Sequence, residues 1–438
     1  MLKHFLSEAL VVVLILLGSV AAVAQQRVLT LDEVFDLAEQ NSKTLAAERV
    51  ALSEAQAAVV EAKTGRLPDI ELSASASYLG NGTLTDRNYS NAMCVKMPHW
   101  GNNFAVEAAQ LIYGGGVVSN SIALARLGEE MAATNLDDTR SRVRFLLTGF
   151  YLDLYKLRNI LEVYDRNIAL AEELIADTEA RSREGVALSN DITRHELRLE
   201  RLRLARIEVE NTVKILSSEL ATIIGIEPTT EIVPDVAILA KELPAADEAY
   251  WQRLAEEGAY SLKRGEIEVA MNERAEKLAR ADRRPNIALF AANKFDGPIT
   301  IEVPVIDKNF NYWYVGVGVS FKLSSLYKTN RTIQRAAIAT DHSRRRLDDA
   351  RERLSLDVHA DYIRYEEAFF TEQTLEKSLE LAQSNYNIIN KRYSNDIALI
   401  TDMTDAANQL LDAELQLTNA RINILLRYYK LLNTAGAL

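Results

Sequence analysis

Two long stretches of this chain repeat each other, and this duplication restricts the possible folds more than any other feature of the sequence. The heptapeptide LDDTRSR at 136–142 recurs as LDDARER at 347–353, an offset of 211 residues. The same offset pairs Ile122 with Ile333, Tyr151 with Tyr362, Arg181 with Arg392, Asp191 with Asp402, and Gly225 with Gly436. We therefore expect a first structural repeat at 25–225, an irregular, proline-containing linker at 226–246, and a second repeat at 247–438.

Each repeat is expected to contain a helix, a β-hairpin, a very long helix and a shorter helix. The first helix of copy one is predicted at 31–64. Residues 116–184 contain no proline, and residues 327–393 contain neither proline nor glycine. Each of these two segments would make a helix of about 100 Å at 1.5 Å per residue. Apolar residues recur at steps of three and four, for example along 358–369, which predicts antiparallel coiled-coil helices in a mainly α protein with a small β part.

Four shorter segments alternate apolar and polar residues with a period of two, which predicts β-strands. They are residues 70–78, 104–109, 287–291 and 313–321. A half-buried sheet of a soluble protein would show the same alternation, but strands of about ten residues also match a tilted outer-membrane span. Four strands are too few to close a membrane barrel, because the smallest such barrels have about eight. A barrel would therefore need strands from several chains.

Aromatic residues cluster near the ends of these segments, as they do in the interfacial girdles of membrane proteins. The first hairpin has Tyr78, Trp100, Phe104 and Tyr113, and the second has Phe295, Phe310, Tyr312 and Trp313. Their positions favour a membrane-spanning sheet over a soluble one.

The composition argues against several classes of function. The chain has 62 acidic residues against 50 Lys and Arg, so it lacks the basic surface that nucleic acid binding requires. Cys94 is the single cysteine, which excludes an intramolecular disulfide, and the five histidines show no metal-ligand spacing. Ser189, Asp191 and His195 resemble a hydrolytic site in composition only, and we interpret them as solvated or capping residues. We expect no cofactor, no metal site and no enzymatic activity.

The first 24 residues have the pattern of a signal peptide. Lys3 and His4 precede an apolar run that extends from Ala9 to Val23, which is shorter than the roughly 20 residues of a comfortable membrane span. The run ends in the small-x-small sequence Ala-Val-Ala at 22–24, which signal peptidase recognises. We expect cleavage after Ala24 and export from the cytoplasm.

The duplicated unit, the export signal and the stretch from Tyr393 to Ala406 together resemble the TolC-type outer membrane efflux proteins. The resemblance covers essentially the whole mature chain. It implies a homotrimer in which four strands per chain form one 12-stranded transmembrane β-barrel, continued by an α-barrel tunnel. It also implies passive export of substrates that an inner-membrane pump and a periplasmic adaptor deliver, as in tripartite efflux or type I secretion. The implied location is the outer membrane, in contact with its lipid and extending into the periplasm.

The resemblance also implies roles for residues at the two helical turns. Asp402 and Asp405 match two aspartates that face the channel axis, with Tyr393 and Asp191 as further gate residues. The tip that contacts the adaptor matches Gly185, Val186, Ala187, Asp396 and Ile397. This sequence has Asp396 where glycine is usual, and Ala398 where well-known members carry an arginine that locks the gate. On the residues alone, Asp402 and Asp405 would instead be helix-capping charges.

A second functional hypothesis is a periplasmic coiled-coil scaffold or surface receptor that has no pore. The period-two hairpins favour the channel, because a scaffold has no use for lipid-facing strands. A heat-modifiable trimer in the outer-membrane fraction would distinguish the channel from the scaffold.

Overall fold

The computed structural model describes residues 26–186, 188–240, 243–244, 246–303, 305–395 and 397–438. The predicted signal peptide at 1–24 and its cleavage site lie outside the described residues. Ala187 and Asp396 of the predicted adaptor-contact tip also lie outside them.

The described residues are mainly helical. The α-helices are α1 (Leu31–Asn41), α2 (Lys43–Thr64), α3 (Val117–Arg183), α4 (Ser189–Ile224), α5 (Glu248–Gly258), α6 (Tyr260–Ala281), α7 (Ser325–Ser394) and α8 (Ile400–Thr434). The strands are β1 (Gln26–Leu29), β2 (Asp69–Tyr78), β3 (Gly82–Leu84), β4 (Met93–Val95), β5 (Trp100–Gly114), β6 (Glu231–Pro234), β7 (Asn286–Gly297) and β8 (Phe310–Ser320). In each half of the chain two helices, two long strands and two further helices follow one another.

The two very long helices are confirmed, with 67 residues in α3 and 70 in α7. Gly115 and Gly116 form the turn from β5 into α3 at φ values of 65° and 94°. Glycine adopts this left-handed region without the steric cost that other residues meet. A sharp turn can therefore join a strand directly to the long helix.

The helix predicted at 31–64 is broken into α1 and α2. Ser42 separates them with an extended backbone, at φ −63° and ψ 121°. Its hydroxyl accepts a hydrogen bond from the Leu45 N–H at 3.5 Å and so helps to start α2. Ala259 separates α5 from α6 with similar backbone angles. Neither position is a proline, the strongest helix breaker in a sequence, so the prediction missed both breaks.

The chain divides into two compact units, each of which takes residues from both halves of the sequence. The sheet unit comprises Val50–Thr134 and Ser261–Ala350. The helical unit comprises 26–49, Asn135–Tyr260 and Arg351–Leu438. The four predicted strand segments lie in the sheet unit, and the two helical turns lie in the helical unit.

The sheet unit contains a four-stranded antiparallel sheet with the order β2-β5-β7-β8. Each hairpin pairs its own strands, and β5 pairs with β7 to join the hairpins. Leu72 lies opposite Val106 in the first hairpin, and Leu289 lies opposite Val317 in the second. This register places the alternating aliphatic residues of all four strands on one face, whereas Phe290 and Phe310 lie on the other.

The helical unit has a buried core to which the linker contributes. Fully buried large side chains there include Trp251, Tyr151, Leu147, Leu220, Ile224 and Leu431. The linker at 226–246 was predicted to be irregular, but it supplies β6, which pairs in parallel with β1. Ile232 of β6 is fully buried. The pairing partner lies about 200 residues away, so local sequence patterns could not reveal this strand.

Candidate functional site

One face of the four-stranded sheet is apolar and exposed. We call this surface the apolar sheet face, and it comprises Ile70, Leu72, Phe104, Val106, Leu289, Val315, Val317 and Val319. These side chains are between 43% and 77% exposed in the single chain. Soluble monomers rarely expose a contiguous apolar surface of this kind. The alternation recognised in the sequence therefore produces a surface that needs an apolar partner.

The opposite face of the sheet carries the polar residues of the same strands. Lys294 forms an ion pair with Glu107 across β5 and β7, at 2.8 Å between Nζ and Oε1. Asn103 donates a hydrogen bond to Asp296 on the same strand pair, at 2.5 Å. The sheet is therefore amphipathic, with one apolar face and one face suited to water.

Aromatic side chains gather at the end of the sheet where β2 and β7 finish and β5 and β8 begin. Ring pairs at this end are Tyr78 with Trp100 at 5.9 Å, Phe104 with Phe295 at 6.2 Å, and Phe310 with Tyr312 at 5.2 Å between centroids. Tyr113 was grouped with the first hairpin from the sequence, but it lies at the opposite end of β5, across from Ile287. An aromatic cluster at one end of an apolar sheet is typical of a membrane–water boundary.

The first helical turn joins α3 to α4. The Val186 N–H donates to the Arg181 carbonyl at 3.0 Å, and Gly185 adopts a φ of 78°. This combination closes α3 with a left-handed C-terminal cap. The Asp191 carboxylate accepts a hydrogen bond from the Leu188 N–H at 3.4 Å. Asp191 therefore caps the N-terminus of α4, as expected of a capping residue.

The second helical turn joins α7 to α8 with equivalent contacts. The Ile397 N–H donates to the Arg392 carbonyl at 2.8 Å. The Asp402 carboxylate accepts from the Leu399 N–H at 3.1 Å, which places its negative charge at the positive end of the α8 dipole. Asp405 accepts a hydrogen bond from Gln409 at 2.8 Å. Both aspartates are exposed, so the cap made by Asp402 and the Gln409 contact of Asp405 leave the carboxylates accessible to solvent.

Tyr393 brings the two turns together. Its side chain is only 5% exposed and packs with Leu174 and Met403. Arg181 of the first turn donates to the Tyr393 carbonyl at 2.8 Å, and its guanidinium lies 5.1 Å from the centre of the Tyr393 ring. His195 meets the same ring edge-on at 6.1 Å between centroids. We call Arg181, His195 and Tyr393 the turn cluster.

His195 differs from the prediction that it is solvated. Its side chain is 1% exposed, and its Nε2 has no hydrogen-bond partner among the described residues. Burial, reinforced by the positive charge of Arg198, lowers the pKa of His195 to about 4, although Asp191 acts in the opposite direction. The histidine is therefore neutral at pH 7. The neighbouring sequence did not indicate this burial, because the contact that buries the ring is with Tyr393, about 200 residues along the chain.

No described helix has an apolar stretch long enough to cross a bilayer. In the described part of the chain, no group of three or more His, Cys, Asp or Glu side chains is arranged to hold a metal ion.

Comparison with known proteins gives a family match and one curated relative. A family model described as "Outer membrane efflux protein" matches residues 34–226 and 251–437. The outer membrane efflux protein BepC of Brucella suis biovar 1 (strain 1330) is 21% identical to this chain over 334 residues. The aligned part covers 76% of this chain and 71% of BepC.

Solved structures share the fold at low sequence identity. The outer membrane protein VceC from Vibrio cholerae has a TM-score of 0.77 and 15% identity, covering 93% of this chain and 96% of VceC. The CmeC outer membrane channel of Campylobacter jejuni has a TM-score of 0.72 and 13% identity, covering 93% of this chain and 85% of CmeC. The described chain therefore has the fold of these outer membrane proteins.

Proposed function

Because this chain belongs to the outer membrane efflux protein family, we propose that it forms the outer-membrane channel of a tripartite efflux or type I secretion system. In this role it is a passive conduit, and the energy for export comes from an inner-membrane pump to which a periplasmic adaptor connects it. The family is one of transport proteins, so no bond-breaking chemistry is required of the described residues.

The exposed apolar sheet face is the observation that carries this proposal. An apolar surface of this extent is stable when lipid covers it. The sheet has four strands, and a membrane barrel requires closure so that no strand edge remains unpaired. Three chains would supply 12 strands, so the proposed assembly is a homotrimer with one shared β-barrel. The two separate segments that the family model matches support the proposed internal duplication.

The proposed gate is the second helical turn. Asp402 and Asp405 are exposed and three residues apart, so they share one side of α8. In a trimer six such carboxylates would surround the axis and attract cations. Asp191 and Tyr393 would complete the gate, and Arg181 would hold Tyr393 in place through the contacts of the turn cluster. Arg181 could thereby serve in place of the arginine that this sequence lacks at Ala398.

The proposed adaptor contact lies on the outer surface of the same turns. Gly185 and Val186 of the first turn and Ile397 of the second are exposed, with Val186 at 54% and Ile397 at 70%. Exposed apolar residues at a helical tip favour docking of another helical protein. Ala187 and Asp396 remain part of this proposal on sequence grounds alone.

Assembly and location provide the first test. The mature protein should begin at Gln25 when its N-terminus is sequenced, and it should fractionate with the outer membrane. Chemical crosslinking in detergent should stop at a trimer, and this trimer should dissociate only on heating. A stable monomer in the soluble periplasmic fraction would instead support the scaffold hypothesis and overturn the channel.

Transport provides the second test. The purified trimer should produce discrete conductance steps in a planar bilayer. Deleting the gene should increase accumulation of the exported compounds in the cell, and restoring the wild-type chain should reverse this increase. Insertion without conductance, together with unchanged accumulation, would contradict the proposal.

A further inference from the structure

The helical unit contains a cavity of about 530 Å³ whose wall includes residues of α3, α4 and α8. Three arginines of α4 line it, namely Arg194, Arg198 and Arg201. Their spacings of four and three residues place them on one side of the helix. Like charges at these spacings repel one another and destabilise a helix. An anionic partner would offset the mutual repulsion of these three arginines.

The same helix shows how its other arginines are neutralised. Arg203 forms ion pairs with Glu172 and Glu200, both at 2.8 Å. Arg206 forms ion pairs with Asp165 at 2.5 Å and Glu210 at 2.9 Å. In the part of the chain that the structure describes, none of the three arginines at the cavity forms an ion pair with a carboxylate. On α4, therefore, Arg203 and Arg206 have carboxylate partners, whereas the three arginines at the cavity have none among the described residues.

Arg198 is the most enclosed of the three arginines. Its Nε atom is buried and has no hydrogen-bond partner among the described residues. Burial lowers the pKa of Arg198 from its ordinary value, which reflects the cost of removing the guanidinium from water. A buried donor without an acceptor is unfavourable. An anion in the cavity would supply both the missing acceptor and the missing charge.

The remaining wall of the cavity is mixed, with an apolar side formed by α3, α4 and Leu411 and a polar side formed by Thr401, Thr404, Asp405 and Asn408 of α8. Tyr164 and Leu411 border it together with Leu197 and Leu202. Asp405 also lines the cavity, but it accepts a hydrogen bond from Gln409, and one carboxylate leaves two of the three positive charges uncompensated. The volume lies within the range of about 300–1,000 Å³ that is typical of small-molecule sites.

We propose that this cavity binds a small organic anion that has a carboxylate group and an apolar body. The guanidinium groups of Arg198 and its neighbours would hold the carboxylate, because planar guanidinium matches a carboxylate with two parallel hydrogen bonds. The leucine and tyrosine side chains would cover the apolar body. The cavity adjoins the proposed gate, because Asp405 lines it, but anion binding does not require the conduit function.

The test uses the full-length protein in a neutral maltoside detergent, with 4-(4-fluorophenyl)butyrate as the probe. Binding is followed by the ¹⁹F NMR line width, and empty micelles provide the blank. We expect saturable binding to the wild type. Arg198→Gln and Arg201→Gln should each weaken binding by about tenfold or more, because each removes a charge-assisted hydrogen bond. The corresponding neutral amide, 4-(4-fluorophenyl)butanamide, should not compete.

Arg203→Gln is the matched control, since it removes the same charge from the same helix at a position that is already paired. It should leave probe affinity unchanged. Arg201 is exposed, so its replacement should preserve the fold even where Arg198→Gln does not, and trimer mobility on a gel checks both variants. Absence of saturable binding to the wild type would overturn the proposal. Equal weakening in Arg201→Gln and Arg203→Gln, or equal binding of the amide, would overturn it as well.

Discussion

At the residue scale, buried polar side chains link distant parts of the helical unit. Tyr151 is fully buried, and its hydroxyl donates to the Leu29 carbonyl at 2.8 Å while it accepts from the Asp235 N–H at 2.7 Å. Burial raises the pKa of Tyr151 to about 12, so the hydroxyl remains a donor at any physiological pH. One side chain of α3 therefore holds the ends of β1 and β6 together.

Replacing Tyr151 with phenylalanine should loosen this strand pair. The Leu29 carbonyl and the Asp235 N–H would lose the hydroxyl and keep only their mutual hydrogen bond at 3.1 Å, which costs about 0.5–1.5 kcal/mol. Hydrogen exchange of the Asp235 amide measures the loss as a smaller free energy of local opening. Tyr362→Phe is the control, because its hydroxyl only donates to Glu366 one turn along the exposed side of α7. Equal effects of the two replacements would contradict the role assigned to Tyr151.

The turn cluster should respond to pH through His195. The histidine stays neutral in the closed cluster down to a pKa of about 4, whereas an opened chain protonates it near its ordinary value of about 6.5. Between pH 6.5 and pH 4 the open state therefore binds more protons than the closed state. The closed cluster is most stable above pH 6.5, and it loses stability as the pH falls toward 4. Arg198 and Asp191 are the charged groups that act on its titration.

We expect the free energy of opening at the two turns to fall by about 2 kcal/mol between pH 7 and pH 5. Hydrogen exchange of the Val186 and Ile397 amides, corrected for the intrinsic effect of pH, measures this change. His195→Gln should remove most of the pH dependence. His359→Gln should not, since the side chain of His359 is 53% exposed and paired with Glu248 at a distant site. A pH dependence that survives in His195→Gln would exclude this histidine as its source.

At the element scale, strand β8 separates two kinds of position. Val315, Val317 and Val319 lie on the apolar sheet face. Gly316 lies on the other face, where an added Cβ would come within 2.6 Å of the Phe290 ring. A side chain at 316 would therefore have to displace the Phe290 ring, which is 39% exposed. A large residue there would disturb the sheet whether or not that face lines a channel.

Val317→Arg should impair assembly in the membrane, because an arginine on the lipid side near the midplane costs about 2–4 kcal/mol. The readout is the yield of heat-modifiable trimer in the outer-membrane fraction. Ser75→Arg is the matched control, since Ser75 of β2 lies on the polar face of the same sheet. Ser75→Arg should assemble nearly normally. Normal assembly of Val317→Arg would show that this face does not contact lipid.

At the scale of the whole molecule, the proposed trimer adds a gating role to the aspartates of the second turn. A single chain uses Asp402 as a helix cap and Asp405 as a partner of Gln409. Three chains around an axis would bring these carboxylates into one ring. The capping and gating roles are compatible, because a carboxylate that accepts one backbone hydrogen bond keeps further lone pairs for a cation.

A multivalent cation added from the periplasmic side should block the current of the wild-type trimer, since several carboxylates would share its charge in a partly dehydrated site. The double replacement Asp402→Ala and Asp405→Ala should abolish the block and leave the trimer intact. Asp412→Ala is the control, because Asp412 forms the same bond to Gln416 two turns farther along α8. Single-channel recording in a planar bilayer is the measurement. Block that is unchanged in the double variant would return both aspartates to a purely capping role.

The sequence identified the features of this protein that depend on local periodicity. The absence of proline and the apolar step of three and four predicted α3 and α7, and the period of two predicted the four strands of the sheet. The resemblance to TolC-type proteins identified the family, which the family match confirms. These predictions succeed because the apolar periods of helices and strands can be observed in consecutive residues of the sequence.

Only the tertiary structure decided which distant residues meet. The strand in the linker, the contact of Arg181 and His195 with Tyr393, and the cationic cavity on α4 all depend on partners far along the chain. His195 shows the limit most clearly, because its neighbours in sequence suggested a solvated cap while packing against Tyr393 buried it. Burial and charge pairing depend on which elements pack together. Local sequence patterns do not reveal them, because the packing partners are distant in the chain.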